Sequence, residues 1–327
     1  MHKTCFDTHA RHDAAIMPTT NDQQAIEHLQ QSDQYRIIQR LKTPMFYQQG
    51  QAQNARIGLV IDTETTGLDV KTNKIIELGF IAFEYDTQSG LIYRILHEYT
   101  GFEDPKEALS DIVKQVTGIS DPMLKDQHLN EDEINLWLSK AHLIIAHNAA
   151  FDRSVLERRF KEIHQAHWAC TFHDIPWQDE NISSLKLDFI AYKLGFFFDG
   201  HRAINDAQAT LHILTRHLPS SGHNAMHSLL KHARLNSRRF FAIQAPFDKK
   251  DDLKARNYRW LSDFEYQDQY GKTKKGVWSL AVPEADIAEE QAWLSDHVYQ
   301  GKVAPLRHND ITAKNRYSQR EYLAPEL

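Results

Sequence analysis

An apolar run that ends in two acids constrains this chain more than any other feature. Ile57, Leu59, Val60 and Ile61 read as a short buried strand, and Asp62 and Glu64 follow at once. Strand side chains alternate with period two, so the two carboxylates share one face. Like charges about 4 Å apart repel by roughly 4 kcal/mol at an effective dielectric near 20. The pair makes physical sense if a divalent cation sits between the acids. Taken alone, it reads better as a solvated strand-to-loop junction.

The pair is not alone. A second apolar strand at 143–146 leads into His147, Asn148, Phe151 and Asp152. Asp152 falls in the first turn of a helix read over 149–163, where an acid also suits the helix dipole. A third element follows Gly200: His201 sits on a loop, and Asp206 lies near the start of a helix at 203–218. Each piece is weak by itself. The ordered set, with every acid at a strand or helix end, is specific.

The surrounding pattern predicts an α/β fold. Strands are expected at 57–61, 74–85 and 91–100, then helices at 107–116 and 131–141. The strand at 143–146 and the helix at 149–163 come next, then a strand at 168–171 and helices at 183–194 and 203–218. Hairpin strands followed by alternating strands and helices give a mixed sheet with helices on its faces. The sequence divides into a polar extension (1–53) with a helix near 24–41, the main domain (54–220), a small basic α+β module (221–300) and an extended tail (301–327). Within the module, helices are expected at 224–233, 249–255 and 283–297, and strands at 239–243 and 276–282.

Charge and cysteine usage narrow the setting. The 327 residues carry a net charge of −6 and two cysteines, Cys5 and Cys170. That excludes a disulfide scaffold and leads us to expect a reducing cytoplasm. No apolar run approaches the roughly 20 residues of a membrane helix, and the first residues lack the apolar core of a secretory signal. Residues 1–221 hold 21 Lys and Arg against 30 Asp and Glu, whereas residues 231–275 hold 12 against 6. An acidic body joined to a basic lobe is compatible with a polyanion held beside a metal site.

From these residues the chain resembles the DEDDh 3′–5′ exonuclease family, in particular the epsilon-type proofreading exonucleases of bacterial DNA polymerase III. The resemblance spans roughly 55–218 and includes the stretches 75–79, 116–119 and 170–171. The histidine ahead of the last acid places the chain in the histidine branch. The resemblance implies an RNase H-like mixed sheet, two Mg²⁺ or Mn²⁺ ions, and release of nucleoside 5′-monophosphates from a free 3′ end. It gives Asp62, Glu64, Asp152 and Asp206 to metal binding, with His201 as general base, a role suited to an imidazole that titrates near neutral pH. It gives Thr63, Thr65, Gly67, Leu68, His147, Asn148 and Phe151 to the terminal nucleotide. DNA is the favoured substrate and RNA the alternative within the family. A catalytically silent nucleic-acid-binding subunit is the alternative from another class. A DNA polymerase or another repair protein is a candidate partner, although no clear clamp-binding signature is present.

Two other patterns compete for attention. His164, His167, Cys170 and His173 have zinc-like spacing, but a helix end and a strand should point them different ways. In the basic module, Lys249, Lys250, Lys254, Arg256, Tyr258, Arg259 and Trp260 interleave cations with aromatics, which suits contacts to phosphates and bases. The alternative is that two tryptophans, Trp260 and Trp278, form the core of a small module.

Overall fold

The computed structural model describes residues 20–268, 270–301 and 306–323. The described residues fall into two units, divided after Gln39. In the first unit, helix α1 (Thr20–Gln30) replaces the helix expected at 24–41. It closes with Gln31 and Ser32 donating to the carbonyls of His28 and Leu29. The Ser32 hydroxyl then accepts the Gln34 N–H (3.2 Å), an alternative that Ser offers the backbone at the expense of helix. Ile37 and Ile38 therefore lie beyond the helix, ahead of the two-residue strand β1 (Gln39–Arg40).

The second unit is built on a five-stranded mixed sheet. Strands β2 (Ala55–Thr65), β3 (Ile75–Asp86) and β4 (Ile92–Phe102) run antiparallel in sequence. The carboxylate of Asp86 holds the β3–β4 turn by accepting the N–H groups of Gln88 (3.0 Å) and Ser89 (2.8 Å). Strands β5 (Leu143–Ala146) and β6 (Trp168–Cys170) add parallel to β2, giving the order β4-β3-β2-β5-β6. This is the expected RNase H-like arrangement.

Helices cover both faces. The short helices α2 (Asp111–Thr117) and α3 (Asp121–Leu124) pack near Ile76. The expected start of α2 at 107 moves to 111 because Ser110 caps it, its hydroxyl accepting the Val113 N–H. Helices α4 (Glu131–Lys140) and α5 (Ala149–Arg159) pack on one face with Leu59, Ile61 and Phe80. Helices α6 (Leu187–Lys193), α7 (Ala203–Thr215) and α8 (Ala225–Ala233) pack on the other with Val60, Ile81 and Ile145. A two-residue strand, β7 (Phe196–Phe197), lies between α6 and α7. Leu59, Val60 and Ile61 are essentially inaccessible, and each contributes roughly 1.5–3 kcal/mol through burial. Continued alternation puts Asp62 and Glu64 on the α7 face and Thr63 on the α5 face.

The basic module is a four-stranded antiparallel sheet. Its strands are β8 (Ser237–Ala242), β9 (Arg259–Gln267), β10 (Thr273–Pro283) and β11 (Leu306–Ile311), in the order β11-β8-β10-β9. Helices α9 (Lys250–Ala255) and α10 (Ile287–Trp293) complete it, α10 continuing through a looser turn, Leu294–Val298. Two of these strands differ from the sequence reading. The run containing Arg259 and Trp260 is β9, and its signal was the alternation that buries Phe264 and Tyr266.

The tail read as merely extended contains β11 and then folds back on the larger domain. The Trp168 N–H donates to the Ala313 carbonyl (2.8 Å). The fully buried Arg153 of α5 donates to the carbonyls of Arg316 (2.8 Å) and Lys314. The Ser318 hydroxyl donates to Glu157 (2.6 Å) and the Tyr317 hydroxyl to Asp174 (2.9 Å). Residues 306–323 thus strap the module sheet to the sheet domain. Among the described residues, no helix is long and apolar enough to cross a membrane.

Candidate active site

Three carboxylates meet on the α7 face. One oxygen each from Asp62, Glu64 and Asp206 lies within 4.8 Å of the others, which joins the end of β2 to the first turn of α7. The period-two reading of the Asp62 and Glu64 pair is what makes this possible. Asp152, 3% exposed, arrives from the first turn of α5. Its Oδ1 accepts both the N–H (3.0 Å) and the hydroxyl (2.7 Å) of Thr63, the residue between the paired acids.

Both helices that deliver an acid are entered through a left-handed residue. Asn148 (φ 65°) precedes α5, and His201 (φ 65°) lies two residues ahead of α7. Non-glycine residues adopt this region at a cost, and such departures concentrate where a site requires them. At His201 the conformation sends its N–H to Asp206 Oδ2 (2.8 Å), while the residue itself stays exposed.

The buried Glu77 of β3 anchors α7 and was missed as a site residue. Its carboxylate accepts Arg202 Nη2 (2.8 Å) and Nε (3.1 Å) and the backbone N–H of Ala203 (3.1 Å). The helix start also lies directly on Gly79, which pairs with Asp62: a Cβ there would come within 2.4 Å of the Ile204 nitrogen. The available signal was an acid inside the otherwise apolar 75–83 run. A charge placed there needs a partner.

The electrostatics are those of a negative cluster awaiting a counter-charge. Loss of solvent, followed by repulsion from Asp152, Asp206, Glu64 and Glu77, raises Asp62 well above the usual carboxylate range. Loss of solvent, then Asp206, Glu77 and Asp152, pushes Glu64 to about 8, against the opposing pull of Arg202. Burial raises Asp152 to about 7 despite the two Thr63 hydrogen bonds. Asp206 rises to about 6 for the same first reason, offset by the His201 N–H. An all-oxygen donor set with this much stored repulsion fits a hard divalent cation such as Mg²⁺ or Mn²⁺.

The expected substrate contacts separate into two groups. Leu68, four residues after Glu64, is 89% exposed, an unusual position for a large apolar side chain, and Asn148 is exposed as well. Phe151 is half-buried and packs on the core. The Thr65 hydroxyl is engaged by the Gly67 carbonyl, and Gly67 lies close to the Asn73 side chain. His147 differs most from expectation. Its Nε2–H donates to the Leu185 carbonyl (2.8 Å) and its Nδ1 accepts the Thr171 hydroxyl (2.8 Å). Loss of solvent lowers its pKa to about 4, so the ring is a neutral brace within the domain.

The module contacts also sort by structure. Lys249 pairs with Asp252 (3.3 Å), Lys250 lies over the Phe247 ring (4.6 Å), and Lys254 approaches the Trp278 ring (6.0 Å). Arg256 and Tyr258 do not fit a phosphate-contacting surface. Arg256 pairs with Glu289 (3.0 Å) and Glu290 (2.8 Å), and the buried Tyr258 donates to Glu290 (2.8 Å). A small module needs these groups to fix α10. Arg259 and Trp260 remain exposed. In the zinc-like run, His164 Nε2 faces the Glu157 carbonyl (3.0 Å), and buried Cys170 accepts the Ala149 N–H (3.3 Å). Burial pushes that thiol up to about 11, and His173 stacks on Tyr317. Among the described residues, the Asp62, Glu64 and Asp206 group is the one cluster of three or more with metal-holding geometry.

An RNase H-like sheet with acids converging from a strand end and two helix starts defines a nuclease, with a site suited to divalent metal. Residues 59–214 match the RNase T family model, described as exonuclease. Among curated proteins, a PolC-type DNA polymerase III of Thermotoga maritima is 31% identical over 164 residues, or 48% of this chain and 12% of that protein. The PolC-type DNA polymerase III of Halalkalibacterium halodurans is 32% identical over 166 residues, 48% of this chain and 11% of that protein. The chain therefore spans only about an eighth of the length of the curated relatives it matches. Among solved structures, exonuclease X in complex with 5′ overhanging duplex DNA is 24% identical, covering 47% of this chain and 86% of that one, with a TM-score of 0.33. Exonuclease I of E. coli in complex with a dA16 oligonucleotide is 13% identical, covering 69% of this chain and 63% of that one, with a TM-score of 0.43.

Proposed function

We propose that this protein hydrolyses DNA from its 3′ end, releasing nucleoside 5′-monophosphates, as a proofreading or repair exonuclease of the cytoplasm. The observation that carries the reading is the convergence of Asp62, Glu64 and Asp206 beside the Thr63-held Asp152. DNA is favoured because the curated relatives of the domain are named as DNA polymerases, and a polymerase is the natural partner.

Asp62, Glu64, Asp152 and Asp206 hold two divalent cations, Mg²⁺ or Mn²⁺. When bound, such ions neutralise phosphate charge and acidify water. The four acids would hold the ions at one point of the sheet, and so set where a phosphate could bind. His201, exposed at the mouth and oriented by its own N–H on Asp206, takes the proton of the attacking water. Leu68 and Phe151 hold the terminal base by apolar contact. That contact accepts every base because none of its energy depends on base-edge hydrogen bonds.

The experiment is digestion of single-stranded DNA and RNA, each labelled at the 3′ or the 5′ end, by the full chain with Mg²⁺. Immediate release of the 3′ label as mononucleotide, with the 5′ label shortening stepwise, supports the reading. Faster attack on RNA overturns the choice of sugar. Loss of the 5′ label first overturns the polarity.

A further inference from the structure

A cleft of about 830 Å³ runs between the sheet domain, the module sheet and the strap, away from the acids. That volume lies within the range of ligand-binding clefts. Its lining includes Ala150 of α5, the helix that carries Asp152, and Lys71 of the loop that follows β2, the strand that carries Asp62 and Glu64. The module contributes Arg239 and Trp260, and the strap contributes Arg316 and Tyr322.

Trp260 is the informative residue. It is 52% exposed, yet its ring is fixed. One edge meets Trp278 at right-angle-like geometry (5.4 Å, 64°), and the ring lies on Gly276, where a Cβ would approach within 2.2 Å. Gly276 has φ 86°, a backbone that glycine tolerates, so this close approach is built in. A rigid, half-exposed indole is a poor use of a large apolar side chain unless something stacks on it. Lys71 stands across the cleft in an exposed, loose pairing with Asp263 (3.8 Å), itself part of the lining, and near Asp69; a phosphate can displace such a surface pair.

We infer that this cleft binds the single-stranded nucleic acid 5′ of the terminal nucleotide, with a base stacked on Trp260 and a phosphate at Lys71. The inference rests on the exonuclease reading for its direction, but not for its test. Ring stacking with one phosphate contact holds a strand without reading its sequence, which suits a chain that must slide inward after each cleavage.

The test is fluorescence anisotropy of the full chain with a labelled long single strand, alongside kcat/KM on that strand and on a dinucleotide. Trp260→Ala should raise the Kd for the long strand about tenfold, the loss of one stacked base. Its kcat/KM should fall more on the long strand than on the dinucleotide. Because that variant removes packing around Gly276, Lys71→Gln serves as the second probe, its side chain being 66% exposed. It should reduce the slope of log Kd against log salt by about 0.7, one phosphate on a single strand. Unchanged Kd and unchanged slope in both variants would overturn the inference, as would equal losses on both substrates. If the wild type cleaves neither substrate, the exonuclease reading fails, while the anisotropy still decides the cleft.

Discussion

Thr63 gives Asp152 both its backbone N–H (3.0 Å) and its hydroxyl (2.7 Å), tying the acid of α5 to the strand between Asp62 and Glu64. One residue thus sets the spacing between an acid delivered by a helix and two delivered by a strand. Thr63→Val keeps the shape and the N–H but removes the hydroxyl. A hydrogen bond to a charged acceptor contributes about 1.5 kcal/mol or more. Mn²⁺ affinity measured by calorimetry should therefore fall about tenfold, with the fold retained. Wild-type affinity would remove Thr63 from the positioning role.

The four acids also predict a pH dependence with a definite sign. All are raised in the folded state, Asp206 to about 6, Asp152 to about 7, Glu64 to about 8 and Asp62 further still. Above the unfolded carboxylate value of about 4, the folded state holds protons that the unfolded chain has lost. Without metal, stability should decline as pH climbs from about 4 through the raised values. A divalent cation competes for the same oxygens, so its Tm increment should be larger near pH 8 than near pH 5. Thermal melts in EDTA and in Mn²⁺ at the two pH values check this. An increment that shrinks toward alkaline pH would contradict the assignment.

Arg202 and Glu77 form the anchor of α7. Arg202→Ala leaves Glu77, which has no exposed surface, with only the Ala203 N–H and a long contact to Thr100. Removing one partner of a buried pair costs about 3–5 kcal/mol, and less here because the arginine side chain is 38% exposed. We expect about 2 kcal/mol in urea unfolding, together with weaker Mn²⁺ binding, because Asp206 rides on the same helix. A destabilised variant with unaltered metal affinity would separate α7 anchoring from the site.

The strap makes its own prediction. Arg153 is fully buried, and it holds Glu157 (2.8 Å) as well as the Arg316 carbonyl (2.8 Å). Arg153→Met preserves the apolar stem but leaves two strap carbonyls and a mostly buried carboxylate without that donor. The cost should be about 3 kcal/mol, read as a lower urea midpoint. It should also make proteolysis begin within 306–323. An unchanged midpoint would mean that the strap contributes nothing to holding the two sheets together.

The sheet domain was legible because its signals are local. Apolar runs at 57–61 and 143–146 mark central strands, and Asp62, Glu64, Asp152 and Asp206 each sit where a strand or helix ends. Period-two alternation was enough to put Asp62 and Glu64 on one face. What escaped depends on partners distant in sequence. Glu77 finds Arg202 125 positions away, and Arg153 finds the tail more than 160 positions on. No local pattern announces either contact. His147 was assigned to the site by its match, with Asn148 and Phe151, to a motif of the resembled family, but its two ring nitrogens are taken by Leu185 and Thr171. Arg256 and Tyr258 carried the composition of a nucleic-acid surface, and the two acids of α10 claim them instead. The strand β11 was hidden in a polar run whose burial comes from a neighbouring strand and not from its own alternation.

The most direct measurement is mononucleotide release from a single-stranded oligonucleotide by protein stripped of metal and then supplied with Mg²⁺, compared with Asp62→Asn. Asparagine keeps the size of the side chain and relieves repulsion among the acids, so the variant should fold at least as well as the wild type. The acid cluster as a metal-dependent hydrolytic site predicts no release from stripped protein, release once Mg²⁺ is added, and a loss of about 10³-fold or more in the variant, consistent with losing a charge-stabilising group. Hydrolysis that persists in chelator, or that survives at the wild-type rate in Asp62→Asn, would contradict it.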